Sequence, residues 1–280
     1  MSEFDSRITP ARPDLAAAHL EGKIAAGKFA AGHVLRAARG CVDLRRGPRD
    51  DAGLETQLLY GEAFTIYEEK DGWAWGQAGL DSYVGYARID SFLDAAAPTH
   101  RVTALATPLL PAPDVKKPAR DMLPMNAKLG VAESGERFMR LTNGLYVFAN
   151  HLAPIAAPAP DWVAVAERFL GVPYLWGGKT FAGVDCSGLI QTALEAGSVR
   201  APRDTDMMES ALGTALVQDA GLKRGDLIFW KGHMGAMCDG ARLIHANAHF
   251  MQVTIEPLGQ ARARIEAAEG LAIRSIKRLP

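Results

Sequence analysis

The chain has 280 residues, of which 48% are hydrophobic and 22% charged, with a formal net charge of -1. That length exceeds what one core usually serves, so two or three domains of ordinary globular composition are expected. The near-neutral charge gives no footprint for nucleic acid or an anionic membrane surface, and no apolar run approaches the ~18 to 20 residues of a membrane span.

In chain order, Met1-Ser2-Glu3-Phe4-Asp5 is acidic where a secretory leader is basic. The three cysteines, at 41, 186 and 238, form no Cys-x-x-Cys pair and no disulfide framework. Both features lead to an expected cytoplasmic location. Pro13 to Lys23 has a proline near its start and helix formers after it, which predicts a short N-terminal helix inside a segment 1–31. From 32 to 97 the texture changes to short β-like runs punctuated by turns, the pattern of a small barrel. The runs Leu58-Leu59-Tyr60-Gly61-Glu62, Asp71-Gly72-Trp73-Ala74 and Asp81-Ser82-Tyr83-Val84-Gly85-Tyr86 resemble a bacterial SH3-like domain, with Ser82 in place of the usual glycine. Residues 98–153 end in Gly144-Leu145-Tyr146-Val147-Phe148, which echoes the closing strand of such barrels and suggests a second, diverged copy. Pro154, Pro158 and Pro160 among alanines read as a stiff linker over 154–160, and the last domain is expected over 161–280, opening on a helix at Trp162.

The most informative string is Tyr174-Leu175-Trp176-Gly177-Gly178, followed by Gly183-Val184-Asp185-Cys186-Ser187-Gly188 and an apolar run beginning at Leu189. It predicts a helix that opens at Cys186 with Asp185 as N-cap. Unpaired N–H groups and the helix dipole would there favour a thiolate, the reactive form of a nucleophilic cysteine. The base must come from elsewhere in the chain. After the turn Gly225-Asp226 and the strand Leu227-Ile228-Phe229-Trp230, the run Gly232-His233-Met234-Gly235 reads as a second strand. Gly235 is expected to leave open space beside the His233 imidazole. A third strand, Leu243-Ile244-His245-Ala246, brings a histidine suited to orient the first, with Asn247 and His249 as alternatives on the same face. His245 and His249 have a helical metal-ligand spacing, but their β-like flanks and the lack of an acidic partner argue against a metal. Cys41 and Cys238 are read as core residues.

Asp-Cys-Ser-Gly, Gly-Asp-Leu-Ile-Phe, Gly-His-x-Gly and Ile-His-Ala, in this order over roughly residues 160–260, resemble the NlpC-type family of papain-like cysteine peptidases. The resemblance implies an α+β fold, with a papain-like catalytic domain preceded by two small SH3-like β-barrels and a short N-terminal helix. It makes Cys186 the nucleophile, His233 the base, His245 the third polar group and Tyr174 an oxyanion donor, with no metal or cofactor. Met234 and Ala236-Met237 stand where the family often carries Val and Ile-Tyr.

The resemblance also implies the substrate. NlpC-type enzymes cleave the amide between D-glutamate, through its γ-carboxyl, and a diamino acid in peptidoglycan stem peptides. Members with SH3-like domains and no leader resemble recycling enzymes that release L-Ala-D-Glu from peptides with a free N-terminal amine. An ammonium needs a carboxylate partner. Asp204, 18 residues after Cys186, matches the family's amine-binding aspartate. Ser187 and Thr205 would add hydroxyl contacts and Asp185 a further acid, while Glu55 and Tyr83 resemble the acid and phenol that close the groove in similar enzymes. An acyltransferase or an N-acetylmuramoyl-amidase using the same Cys/His pair, and a non-catalytic wall-peptide binder, are the competing readings. Neither the choice between meso-diaminopimelate and lysine nor the oligomeric state is legible in the sequence.

Overall fold

The computed structural model describes residues 4–217 and 221–280, so Met1 to Glu3 of the acidic start lie outside the described residues. The chain divides into two compact units, Met1–Ile155 and Ala156–Pro280. Among the described residues no helix is long and apolar enough to cross a membrane.

The first unit holds two β-modules with separate cores. In the first, seven strands between His33 and Leu93 form one antiparallel sheet. Inward residues alternate along the Ala63–Lys70 strand, so that Phe64 and Ile66 join Leu44, Leu58 and Phe92 in the core. Its sheet is closely packed at Gly76, where a Cβ would stand 2.2 Å from the Thr65 carbonyl oxygen. In the second module the His100–Val102 strand pairs with Lys128–Leu129 and Leu152–Pro154, around a core that includes Val102, Leu123, Leu141 and Val147. Pro154 of the expected linker is therefore a strand residue.

The segment Pro13 to Lys23 forms no α-helix. Ala16–Ala17 pairs in parallel with Phe29 and Ala30, and only a single 3-10 turn, Ala18–Leu20, follows. Leu15, Ala16 and Ala17 are all fully buried. Three consecutive buried residues do not fit one face of a helix. A run this short has little intrinsic helical stability, so packing of Ala16, Ala17 and Leu20 against Phe29 and Tyr67 decides its conformation.

The second unit is built on a six-stranded antiparallel sheet in the order Thr214–Ala215, Ser275–Arg278, Leu227–Trp230, His233–Met237, Arg242–Asn247 and Gln252–Pro257. Helix α1 (Trp162–Glu167) is capped by Asp161, whose carboxylate accepts the N–H groups of Val163 and Ala164. Helix α2 (Cys186–Ala196) lies against the strands that carry His233 and His245. Helix α3 (Thr205–Ala211) follows, and α4 (Leu258–Glu269) packs Ala261 and Ile265 on Ile228, Trp230, Met237 and Leu243. Ten of the 11 residues of α2 are buried, which fixes its first turn against the sheet.

Candidate active site

Cys186 is the first residue of α2. Asp185 caps the helix by accepting the Gly188 N–H at 2.7 Å, and its other oxygen accepts the Gly177 N–H at 2.8 Å. One carboxylate thus ties the Trp-Gly-Gly turn to the start of α2. Gly188 must lack a side chain, because a Cβ there would stand 2.1 Å from the Gly178 carbonyl oxygen.

The thiol touches Thr205 Oγ1 at 3.8 Å, and the backbone N–H of Met234 donates toward the sulfur. Met234 directly follows His233, so this contact joins the start of α2 to the strand that carries His233. Helix N-termini favour a thiolate, yet burial dominates at this one. Only 6% of Cys186 is exposed, and desolvation followed by the charge of Asp185 pushes the thiol up to about 11. Burial, with His245 and Arg264 adding to it, draws the His233 imidazole down to about 3. Both shifts favour the neutral forms of the two side chains, against the thiolate that the helix start alone suggests.

His233 Nε2 lies 2.8 Å from His245 Nδ1, and His245 Nε2 lies 2.8 Å from Glu256 Oε1. Arg264 of α4 completes the row by a short contact with the same carboxylate oxygen. His245 is the histidine that meets His233. Asn247 instead donates to Thr254 Oγ1 and accepts the Phe250 N–H, while His249 is exposed.

The space expected at Gly235 is absent. A Cβ there would stand 2.8 Å from the Ile244 carbonyl oxygen and 3.0 Å from the His245 Cβ, so the glycine serves close approach of the His245 strand. Gly235→Ala is expected to push the two histidine strands apart, lowering turnover about tenfold or more and stability by about 1–3 kcal/mol. Steady-state kinetics and thermal melting check both effects.

Tyr174 is placed beside this cluster by its backbone, which donates to the Met251 carbonyl at 2.9 Å and bridges to Val184 two residues before Cys186. Burial first, then the charges of Cys186 and Asp185, push its phenol well above the ordinary value, so it stays an O–H donor. Asp204 caps no helix N–H with its side chain and is half-buried, one residue from Thr205 and thus close to the thiol. Asp185 and Ser187 turn inward. Arg203, with 1% of its side chain exposed, donates to both Asp185 oxygens at 3.0 and 2.7 Å and to Ser187 Oγ at 2.8 Å. Ser187 in turn donates to Asp185 Oδ1 at 3.3 Å. These contacts give both residues a structural task at the start of α2. Glu55 and Tyr83 belong to the first unit, where the Tyr83 hydroxyl donates to Glu55 Oε2 at 3.2 Å and Arg46 pairs with Glu55. The two line a cavity of about 450 Å³ there.

Arg203, Glu256, Arg264 and the Met234 N–H are the site groups that sequence reading missed. Arg203 is adjacent to the noted Asp204, and Glu256 lies two strand positions beyond Thr254, the residue that pairs with His245. Neither neighbourhood signals a contact without the strand register.

Residues 171–264 match the NlpC/P60 family, and residues 44–92 match the bacterial dipeptidyl-peptidase Sh3 domain. The chain is 33% identical over 121 residues to the gamma-D-glutamyl-L-lysine dipeptidyl-peptidase of Bacillus subtilis (strain 168), an alignment covering 40% of this chain and 38% of that protein. It thus spans less than two-fifths of that relative's length. It is 30% identical over 132 residues to a probable endopeptidase of Haemophilus influenzae, covering 39% of this chain and 81% of that one. The crystal structure of an NlpC/P60 family protein from Bacillus cereus superposes with a TM-score of 0.76 at 22% identity, over 89% of this chain and all of that one, a likeness of fold. The fold is α+β, with the SH3-like match ahead of a papain-like domain. Matched by the NlpC/P60 model over residues 171–264 and covering four-fifths of a relative to which it is 30% identical, the chain belongs to the NlpC/P60 family.

Proposed function

We propose that the protein is a cysteine peptidase that hydrolyses the γ-D-glutamyl–diamino acid amide of peptidoglycan stem peptides with a free N-terminal L-alanine, releasing L-Ala-D-Glu as a step in murein peptide recycling. The observation that carries the chemistry is the hydrogen-bonded row His233, His245, Glu256 beside a buried thiol at a helix start. The substrate class is supported by the dipeptidyl-peptidase relative and the matching Sh3 domain.

In this reading the neutral His233 takes the Cys186 proton as sulfur attacks the γ-carbonyl, so that charge separates only as the tetrahedral intermediate forms. Tyr174 and the backbone N–H of Cys186 hold the oxyanion. The imidazolium then gives its proton to the departing amine of the diamino acid, leaving a thioester. Water, deprotonated by His233, attacks that thioester and frees the dipeptide. Asp204 is the carboxylate for the L-alanine ammonium, with Thr205 between it and the thiol.

The test is mass spectrometry of L-Ala-γ-D-Glu-meso-diaminopimelate, and of its lysine counterpart, incubated with reduced protein and with Cys186→Ala. Release of L-Ala-D-Glu by the unaltered protein alone is expected. Intact peptides from protein whose thiol still reacts with iodoacetamide would refute the substrate assignment.

A further inference from the structure

We propose that Glu256 is a positioning residue for the base: by accepting from His245 Nε2 it fixes both imidazoles in the tautomers that leave His233 Nδ1 as the proton acceptor. The inference rests on the peptidase reading for its purpose but not for its geometry. Desolvation raises the Glu256 carboxyl, but the His245 and Arg264 contacts outweigh it and hold the group below its ordinary value. Glu256 is therefore a carboxylate, which accepts and cannot donate. In the neutral form of His245 the 2.8 Å contact places the proton on Nε2, leaving Nδ1 with only a lone pair. With that tautomer the second 2.8 Å contact takes its proton from His233 Nε2. A neutral imidazole has one N–H, so His233 Nδ1 is bare, the state needed to take the thiol proton.

No other arrangement satisfies both contacts with neutral rings. If His245 carried its proton on Nδ1, it would present a lone pair to the carboxylate in the interior. His245 is fully buried and Glu256 nearly so, which leaves little water to repair that clash. Arg264 secures the carboxylate from α4, and both partners meet the same oxygen, Oε1. A glutamine at 256 can therefore keep both contacts through its carbonyl while losing the charge. A leucine loses the acceptor.

The experiment is ¹⁵N NMR of histidine-labelled full-length protein, together with kcat and KM on the tripeptide. In the unaltered protein both His233 and His245 are expected as Nε2–H tautomers, and an Nδ1–H tautomer at His245 would overturn the proposal outright. Glu256→Gln is expected to retain the tautomers, whereas Glu256→Leu is expected to show Nδ1–H at His245 and to lower kcat about tenfold or more with KM little changed. A folded Glu256→Leu protein with unchanged tautomers would sink the proposal. Should the leucine variant not fold, the unaltered protein and Glu256→Gln still decide it, because tautomers that differ between those two also overturn it. The expected tautomers in a protein that cleaves neither peptide would leave the relay standing and remove the substrate reading.

Discussion

Substituting His233 by alanine is expected to lower hydrolysis of the tripeptide by about 10,000-fold, and adding Cys186→Ala is expected to lower it little further. In the proposed mechanism nucleophile and base act as one unit, so their losses do not add. The effect should be large because burial disfavours the thiolate. Burial pushes the thiol up to about 11, so few thiolates exist at neutral pH unless a base receives the proton during attack. Single-turnover kinetics on both variants and the double variant check this, and a double variant far below either single one would count against a shared step.

The same pair sets the pH dependence. In the proposed mechanism His233 accepts a proton only when neutral, and burial draws it below its ordinary 6.5, so the acid limb of kcat/KM should fall below that value. The Cys186 thiol is raised from its ordinary 9.0, so the alkaline limb, where the pair has lost its last proton and none remains for the leaving amine, should lie above it. The two limbs belong to the pair as a whole. A profile from about pH 4 to 11 is expected to show a plateau wider than an isolated cysteine and histidine would give. A maximum confined between 6.5 and 9 would contradict this.

Removing the Arg203 guanidinium is expected to be the most destabilising polar substitution in the second unit. Arg203→Met leaves the Asp185 carboxylate buried without its counterion, at a cost of about 3–5 kcal/mol. Much of an ordinary domain's stability of about 5–15 kcal/mol would then be gone. Arg203→Lys should recover only part, because one ammonium cannot reproduce the fork that meets both Asp185 oxygens and Ser187. Replacing Asp185 as well should restore little, since the Gly188 and Gly177 N–H groups then lose their acceptor. Denaturant midpoints of the single and double variants measure each step. A midpoint unchanged in Arg203→Met would show that the pair carries no net stability.

The sequence by itself determined what depends on near neighbours. Asp185 before an apolar run specifies a capped helix beginning at Cys186, because capping is a contact three residues long. The turn at Gly225-Asp226 and the flanking β-branched and aromatic residues mark the strands on either side of His233 for the same reason. Only the tertiary structure decided the rest. That His245 meets His233, while Asn247 on the same face bonds Thr254 and His249 lies exposed past the strand end, depends on how the strands pair, as does the arrival of Glu256 at His245. The Arg203 ion pair spans 18 residues and the Arg264 contact joins a helix to a sheet. The alanine-rich segment after Pro13 reads as helix locally and was drawn into a parallel strand pair by burial. The thiol's environment followed the same rule: the helix start that favours a thiolate is local, whereas the desolvation that outweighs it comes from the whole fold closing over Cys186.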